Sequence, residues 1–167
     1  GALARYEVPS YLYPYQLAEE CAHDALALDA GHRGGRGLLV RSILAQKVEG
    51  DVLVSNGKTA PEALAGAFNL AASQGFQAAS DALRAALSAK DWDVVVELCD
   101  LCAATYGRED LSGHPLGEAL VAPERRVNYA AAIAALLMSP KRAGLANADK
   151  VATLAARAAS ERAVRQV

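Results

Sequence analysis

The 167-residue chain is 53% hydrophobic, 22% charged and 5% aromatic, and 38 of its residues are alanine. Alanine is the best helix former, whereas strands favour β-branched and aromatic residues, and the chain has only two Phe and one Trp. A β-sandwich, a disulfide-stapled miniprotein and a disordered tail are excluded, and a nucleotide-binding α/β enzyme is disfavoured. An all-α, alanine-packed domain remains.

The net charge of −2 argues against a general nucleic-acid binder, but it is unevenly spread. Residues 1–123 carry 9 Lys/Arg against 16 Asp/Glu, and residues 124–167 carry 8 against 3, so the two parts stand at −7 and +5. Solvated helix faces account for such polarity; head-to-tail packing or an acidic partner for the C-terminal end would use it. The odd cysteine count (Cys21, Cys99, Cys102) implies no disulfide framework. Cys99 and Cys102 form a CxxC inside a continuous apolar helix, with no second CxxC or His pair to complete a zinc site. Core packing is the expectation for both. No run of 18 apolar residues exists and Gly1–Pro9 lacks a signal-peptide pattern, so a cytoplasmic protein without a membrane span is expected.

Along the chain, Tyr6, Tyr11, Tyr13 and Tyr15 cluster about Pro9 and Pro14 as an extended lead-in. Tyr11, Tyr13 and Tyr15 are its candidate partner-binding residues, since exposed aromatics mark interfaces. Pro14 opens a helix over Tyr15–Asp29 with Leu17, Cys21, Ala25 and Leu28 at helical spacing, stopped by Gly31. His32–Gly37 is glycine-rich but lacks the Walker ending, and is expected to be a flexible joint before a second helix, Leu38–Lys47. Val52–Val54 is expected as a strand before an Asn56-Gly57 turn. Thr59-Ala60-Pro61-Glu62 reads as a capping box that starts a third helix, ending near Ser73 before Gly75. A fourth helix covers Phe76–Ala89 with Ala79, Leu83, Ala86 and Leu87 on one face, and a fifth, capped by Asp91, spans Trp92–Tyr106. Pro115 opens a short sixth helix to about Val121, and Glu124 a seventh, with Val127, Ala131, Leu136 and Leu137, that ends before Pro140. Asn147 or Asp149 caps an eighth over Lys150–Ala159, and Glu161–Val167 is expected to begin a further element.

Helix pairs joined by short turns prompt a search for repeats of 20–50 residues. Lys90-Asp91-Trp92-Asp93-Val94-Val95, Pro123-Glu124-Arg125-Arg126-Val127-Asn128 and Ser160-Glu161-Arg162-Ala163-Val164-Arg165 align on Val94, Val127 and Val164, which are 33 and 37 residues apart. With Val164-Arg165 and with Ala131-Ala132 behind Val127, residues 75–167 resemble HEAT repeats, whose second helix begins with a Val-Arg pair and runs into paired alanines. The resemblance implies an Arg that meets an Asp of the neighbouring repeat, although Val95 and Asn128 stand at the Arg position in two units. Ala18, Ala22, Ala25 and Leu26-Ala27-Leu28-Asp29, with Leu39 and Ile43 in the next helix, resemble a tetratricopeptide repeat over residues 14–47. Small residues at such sites let paired helices approach closely. Both likenesses imply an α-solenoid of seven to nine helices, with an N-terminal part at 1–58 and a HEAT-like array at 59–167 that continues beyond Val167 or leads into a following domain.

No nucleophile–base pair emerges. His23, His32 and His114 lie in separate elements, Glu19, Glu20 and Asp24 fall short of a metal's ligand set, and no cofactor motif is found. The expected function is a non-catalytic scaffold or adaptor for a protein partner. The second possibility is nucleic-acid or phosphate binding along a basic C-terminal edge of Arg125, Arg126, Lys141, Arg142, Arg162 and Arg165, although cations are also expected at helix ends.

Overall fold

The structure, a computed structural model, describes residues 13–58, 66–139 and 142–165. Among these residues every regular element is helical, with eight α-helices and no strand. The chain divides into two compact units, Gly1–Ala82 and Leu83–Val167.

In the first unit, α1 (Tyr13–Leu28) packs on α2 (Arg33–Ser55), and α2 on α3 (Ala67–Ser73). The face of α1 turned inward is small: Ala22 is fully buried, with Ala18, Ala25 and Leu26 half-buried beside it. Leu39 and Ile43 of α2 are buried. A polar tie joins the pair where buried Gln46 donates through Nε2 to Glu19 Oε2 at 2.6 Å.

The expected glycine joint is not a joint. Residues 33–37 form the first turns of α2, because His32 caps the helix by accepting the Gly35 N–H on Nδ1 at 2.9 Å. Glycine weakens a helix interior by about 0.5–1 kcal/mol, so its presence here needs a reason. The reason is close packing. A Cβ at Gly35 would sit 3.4 Å from Leu26 Cγ, and one at Gly37 3.2 Å from Asp81 Cβ. Arg33 closes the same region by donating from Nε and Nη2 to the Asp81 carboxylate at 2.5 and 2.7 Å.

The expected strand Val52–Val54 is likewise the last turn of α2. Val52 and Val54 are exposed, so no neighbouring strand or core face draws this segment out of the helix. Lys47 and Asp51 add an ion pair four residues apart at 2.6 Å. The Asn56-Gly57 signal is a helix stop. Gly57 adopts φ +75°, its N–H reaches Val54 O, and the Lys58 N–H reaches Leu53 O at 2.9 Å, which is the Schellman pattern. The expected capping box at Thr59–Glu62 lies outside the described residues, as does Tyr11.

Helix α4 (Phe76–Ser88) buries Ala79, Leu83 and Ala86, and the division between the units falls within it. In the second unit α5 (Trp92–Thr105), α6 (Leu116–Ala119) and α8 (Val151–Arg165) all pack against α7 (Arg125–Met138). A helix with neighbours on several sides is apolar nearly all round, and in α7 Val127, Ala131, Ala132, Ala134 and Ala135 are fully buried. Leu136 and Leu137 stay exposed at its end. Asn128 fastens α7 to the chain before it, donating through Nδ2 to Ala119 O at 3.0 Å and Ala122 O at 2.9 Å.

The two loops of this unit are sewn together. Arg108 N–H donates to Met138 O at 2.7 Å, Gly113 N–H to Gly144 O at 3.2 Å, and Asn147 Nδ2 to Gly117 O at 2.9 Å. Asn147 therefore does not cap α8 with its side chain; a single 3-10 turn, Ala148–Lys150, leads in instead. At the other end α8 does not stop at Ala159 but runs to Arg165. The third expected turn, Ser160–Arg165, is continuous helix, and Val164 is 76% exposed instead of opening a new packing face. Nothing in that stretch breaks a helix: it holds no Gly or Pro.

Candidate protein-interaction surface

Of the basic candidates, two are paired within the unit. Arg125 lies 3.3 Å from Glu161 Oε1, which also accepts the Tyr129 hydroxyl at 2.7 Å. That hydrogen bond to a carboxylate is the main reason the Tyr129 phenol is held above its ordinary pKa. Arg126 lies 2.5 Å from Asp93 Oδ1 and 3.5 Å from Glu124. Arg142 donates through Nη1 to Ser139 O at 3.3 Å, Arg162 is exposed on α8, and Arg165 closes α8. Lys141 lies outside the described residues. Arg125 and Arg126 thus face carboxylates at the start of α7, whereas Arg142 follows its far end, so these cations do not line one edge. Of the tyrosines, Tyr13 opens α1 and Tyr15 is half-buried within it.

A surface the sequence reading missed lies on α8. Positions 151, 154, 155, 158 and 161 turn inward, with Val151 and Ala158 buried. The opposite face presents Ala152, Thr153, Ala156, Ser160, Ala163 and Val164, all exposed. Exposed helix faces are ordinarily covered with Lys, Glu and Arg; this one carries charge only at its margins, at Arg157 and Glu161. Ala152, Thr153, Ala156, Arg157, Ser160 and Glu161 border an open depression of about 590 Å³. Ending the helix at Ala159 cuts this stripe in two, which is why its length escapes a sequence reading.

Cys99, Cys102 and His114 are built into the packing, whereas Cys21 is exposed. Cys99 and Cys102 are both fully buried, and loss of solvation pushes their thiols up, that of Cys102 to about 12, so neither is ionised near neutrality. His114 is 6% exposed and accepts the Leu116 N–H on Nδ1 at 3.2 Å. His23 is exposed 3.7 Å from Glu19. Among the described residues no group of three or more His, Cys, Asp or Glu could hold a metal ion. No helix among them is long and apolar enough to cross a membrane.

Compared with known protein families, curated proteins and solved structures, the chain matches none of them.

Proposed function

We propose that the chain is a non-catalytic helical scaffold of the α-solenoid kind, which presents helix faces to a protein partner. The observation that carries this reading is the outer face of α8, a row of small side chains with charge only at its margins, beside an open depression. Such a face suits a partner helix laid into it, since small side chains let two helices come close. The repeat register has support of its own. Asp93 and Arg126 each stand one residue before the aligned Val94 and Val127, and they form an ion pair between the starts of α5 and α7. Val94 and Val127 are both buried at the matching position of their helices. Val164 is not, so the support extends to two units and not to a third.

A photo-crosslinking residue placed at Thr153 tests the reading, with an equivalent one at exposed Ala104 on α5 as control. A discrete protein adduct at Thr153, absent at Ala104 and lost when Ala152→Glu is added, is the expected result. Equal adduct patterns at the two positions would overturn it.

A further inference from the structure

We propose that Asn56 is a site of spontaneous deamidation, and that the turn closing α2 sets how fast the reaction proceeds. Asparagine loses its amide when the backbone nitrogen of the next residue attacks Cγ. That nitrogen is least crowded when the next residue is glycine, which has no Cβ. The chain has four asparagines, and Asn56 is the one followed by glycine. The structure separates the four further. Asn128 commits its side-chain amide to Ala119 O and Ala122 O at 3.0 and 2.9 Å, and Asn147 donates to Gly117 O at 2.9 Å. Asn69 lies within α3, and the next nitrogen, that of Leu70, is crowded by its own side chain and bonded to Gly66 O at 3.0 Å. Asn56 is exposed, and its side-chain amide has no partner among the described residues.

The reaction needs only water. The Gly57 nitrogen bonds to Asn56 Cγ and gives up its proton, the bond from Cγ to the side-chain nitrogen breaks, and ammonia leaves. The cyclic succinimide then takes up water. Opening at Cγ leaves aspartate; opening at the main-chain carbonyl leaves isoaspartate, whose backbone runs through Cβ. The turn opposes the first step in two ways. The Gly57 N–H is held on Val54 O at 3.0 Å, with the Lys58 N–H on Leu53 O beside it. Asn56 also sits at ψ 14°, where the Gly57 nitrogen nearly eclipses the Asn56 nitrogen, whereas ring closure needs it to eclipse Cβ. Attack therefore waits on fraying of the last turn of α2. Helix ends fray at little free-energy cost, and exposed Val52 and Val54 do not pin this one. The product then works against the turn that delayed it. A carboxylate at position 56 stands at the negative end of the helix dipole, and isoaspartate lengthens the backbone ahead of Gly57 and spoils the register of its hydrogen bonds. The change is one-way and loosens the end of α2.

Peptide mapping by mass spectrometry of the full chain, incubated at mildly alkaline pH, tests this. The expected result is conversion at Asn56, read as the mass gain of NH2 replaced by OH and as two separable product peptides, with Asn69, Asn128 and Asn147 intact. The same chain held unfolded in guanidinium converts at Asn56 at least several-fold faster. Asn56→Gln removes the gain from this peptide, and Asn56→Asp exchanges the Gly57 and Lys58 amide hydrogens faster than the wild type. An Asn56 that stays intact in the folded chain, or another asparagine that converts ahead of it, overturns the assignment. Equal rates in the folded and unfolded chain, or unchanged exchange in Asn56→Asp, overturn the role of the turn.

Discussion

His114 shows how much of this fold's chemistry is decided at single side chains. It sits in the loop before α6, where burial, with the charge of Arg84 adding to it, pulls the imidazole from 6.5 down to about 4. The folded chain thus takes up this proton only near pH 4, while the unfolded chain takes it up below 6.5. The stabilisation from holding His114 neutral is complete above pH 6.5 and is lost as the pH falls toward 4, a loss of about 3 kcal/mol. Urea unfolding midpoints between pH 7 and pH 4.5 should therefore fall more steeply in the wild type than in His114→Gln, whose side chain does not titrate. Parallel curves would show that His114 is not the group responsible. The neighbouring Gly117 is a second single-residue constraint. A Cβ there would lie 2.8 Å from Ala146 O and 2.9 Å from Ala146 Cβ, within backbone that cannot swing aside. Gly117→Ala is expected to cost about 1–3 kcal/mol, read as a drop in the thermal or urea midpoint. Neither effect is visible in the sequence, because the residues that bury His114 and crowd Gly117 come from distant parts of the chain.

At the scale of elements, helix ends were legible and helix contents were not always. The stops near Gly31, Gly75 and Gly107 and the starts at Phe76, Trp92 and Arg125 agree with local cues to within a few residues. The errors share one cause. The same residue types that punctuate a chain locally also serve close packing, and local pattern does not separate the two uses. Gly35 and Gly37 read as a joint but lie inside α2 where α1 and α4 crowd it. Val52–Val54 has strand propensity but lacks a partner strand, so the helix continues. The turn after α4 follows the Schellman pattern with a lysine where glycine is preferred: Lys90 holds φ 55°, its N–H reaches Leu87 O, and the Asp91 N–H reaches Ala86 O at 3.0 Å. A left-handed lysine is strained by about 1 kcal/mol, so Lys90→Gly should raise the unfolding midpoint by about that amount. A fall in the midpoint would show that the Lys90 side chain has a favourable role outweighing its backbone.

At the scale of the whole molecule, the uneven charge has consequences that a net value of −2 hides. Arg125 and Arg126 answer to Glu161, Asp93 and Glu124, so these two cations are balanced locally by carboxylates. Little affinity for a phosphate backbone is then expected. Filter-binding or anisotropy titrations with single- and double-stranded DNA and RNA at low salt should show no retention. Measurable binding that weakens steeply with salt would favour the nucleic-acid alternative over a protein partner.

An all-helical chain is written into the composition, since an excess of alanine and a shortage of aromatics bias every segment the same way, whatever it packs against. That Val94 and Val127 face inward near the starts of α5 and α7 was likewise readable, because apolar residues just after a polar helix start mark its buried side. Which face of an alanine-rich helix turns inward was not readable. Alanine is apolar enough to bury and small enough to expose, so Ala156 and Ala158 look alike in the chain, yet one borders an open depression and the other is buried. Only the packing of α7 against its neighbours, and of α2 against α1, separates the alanines that hold the fold together from those left facing outward.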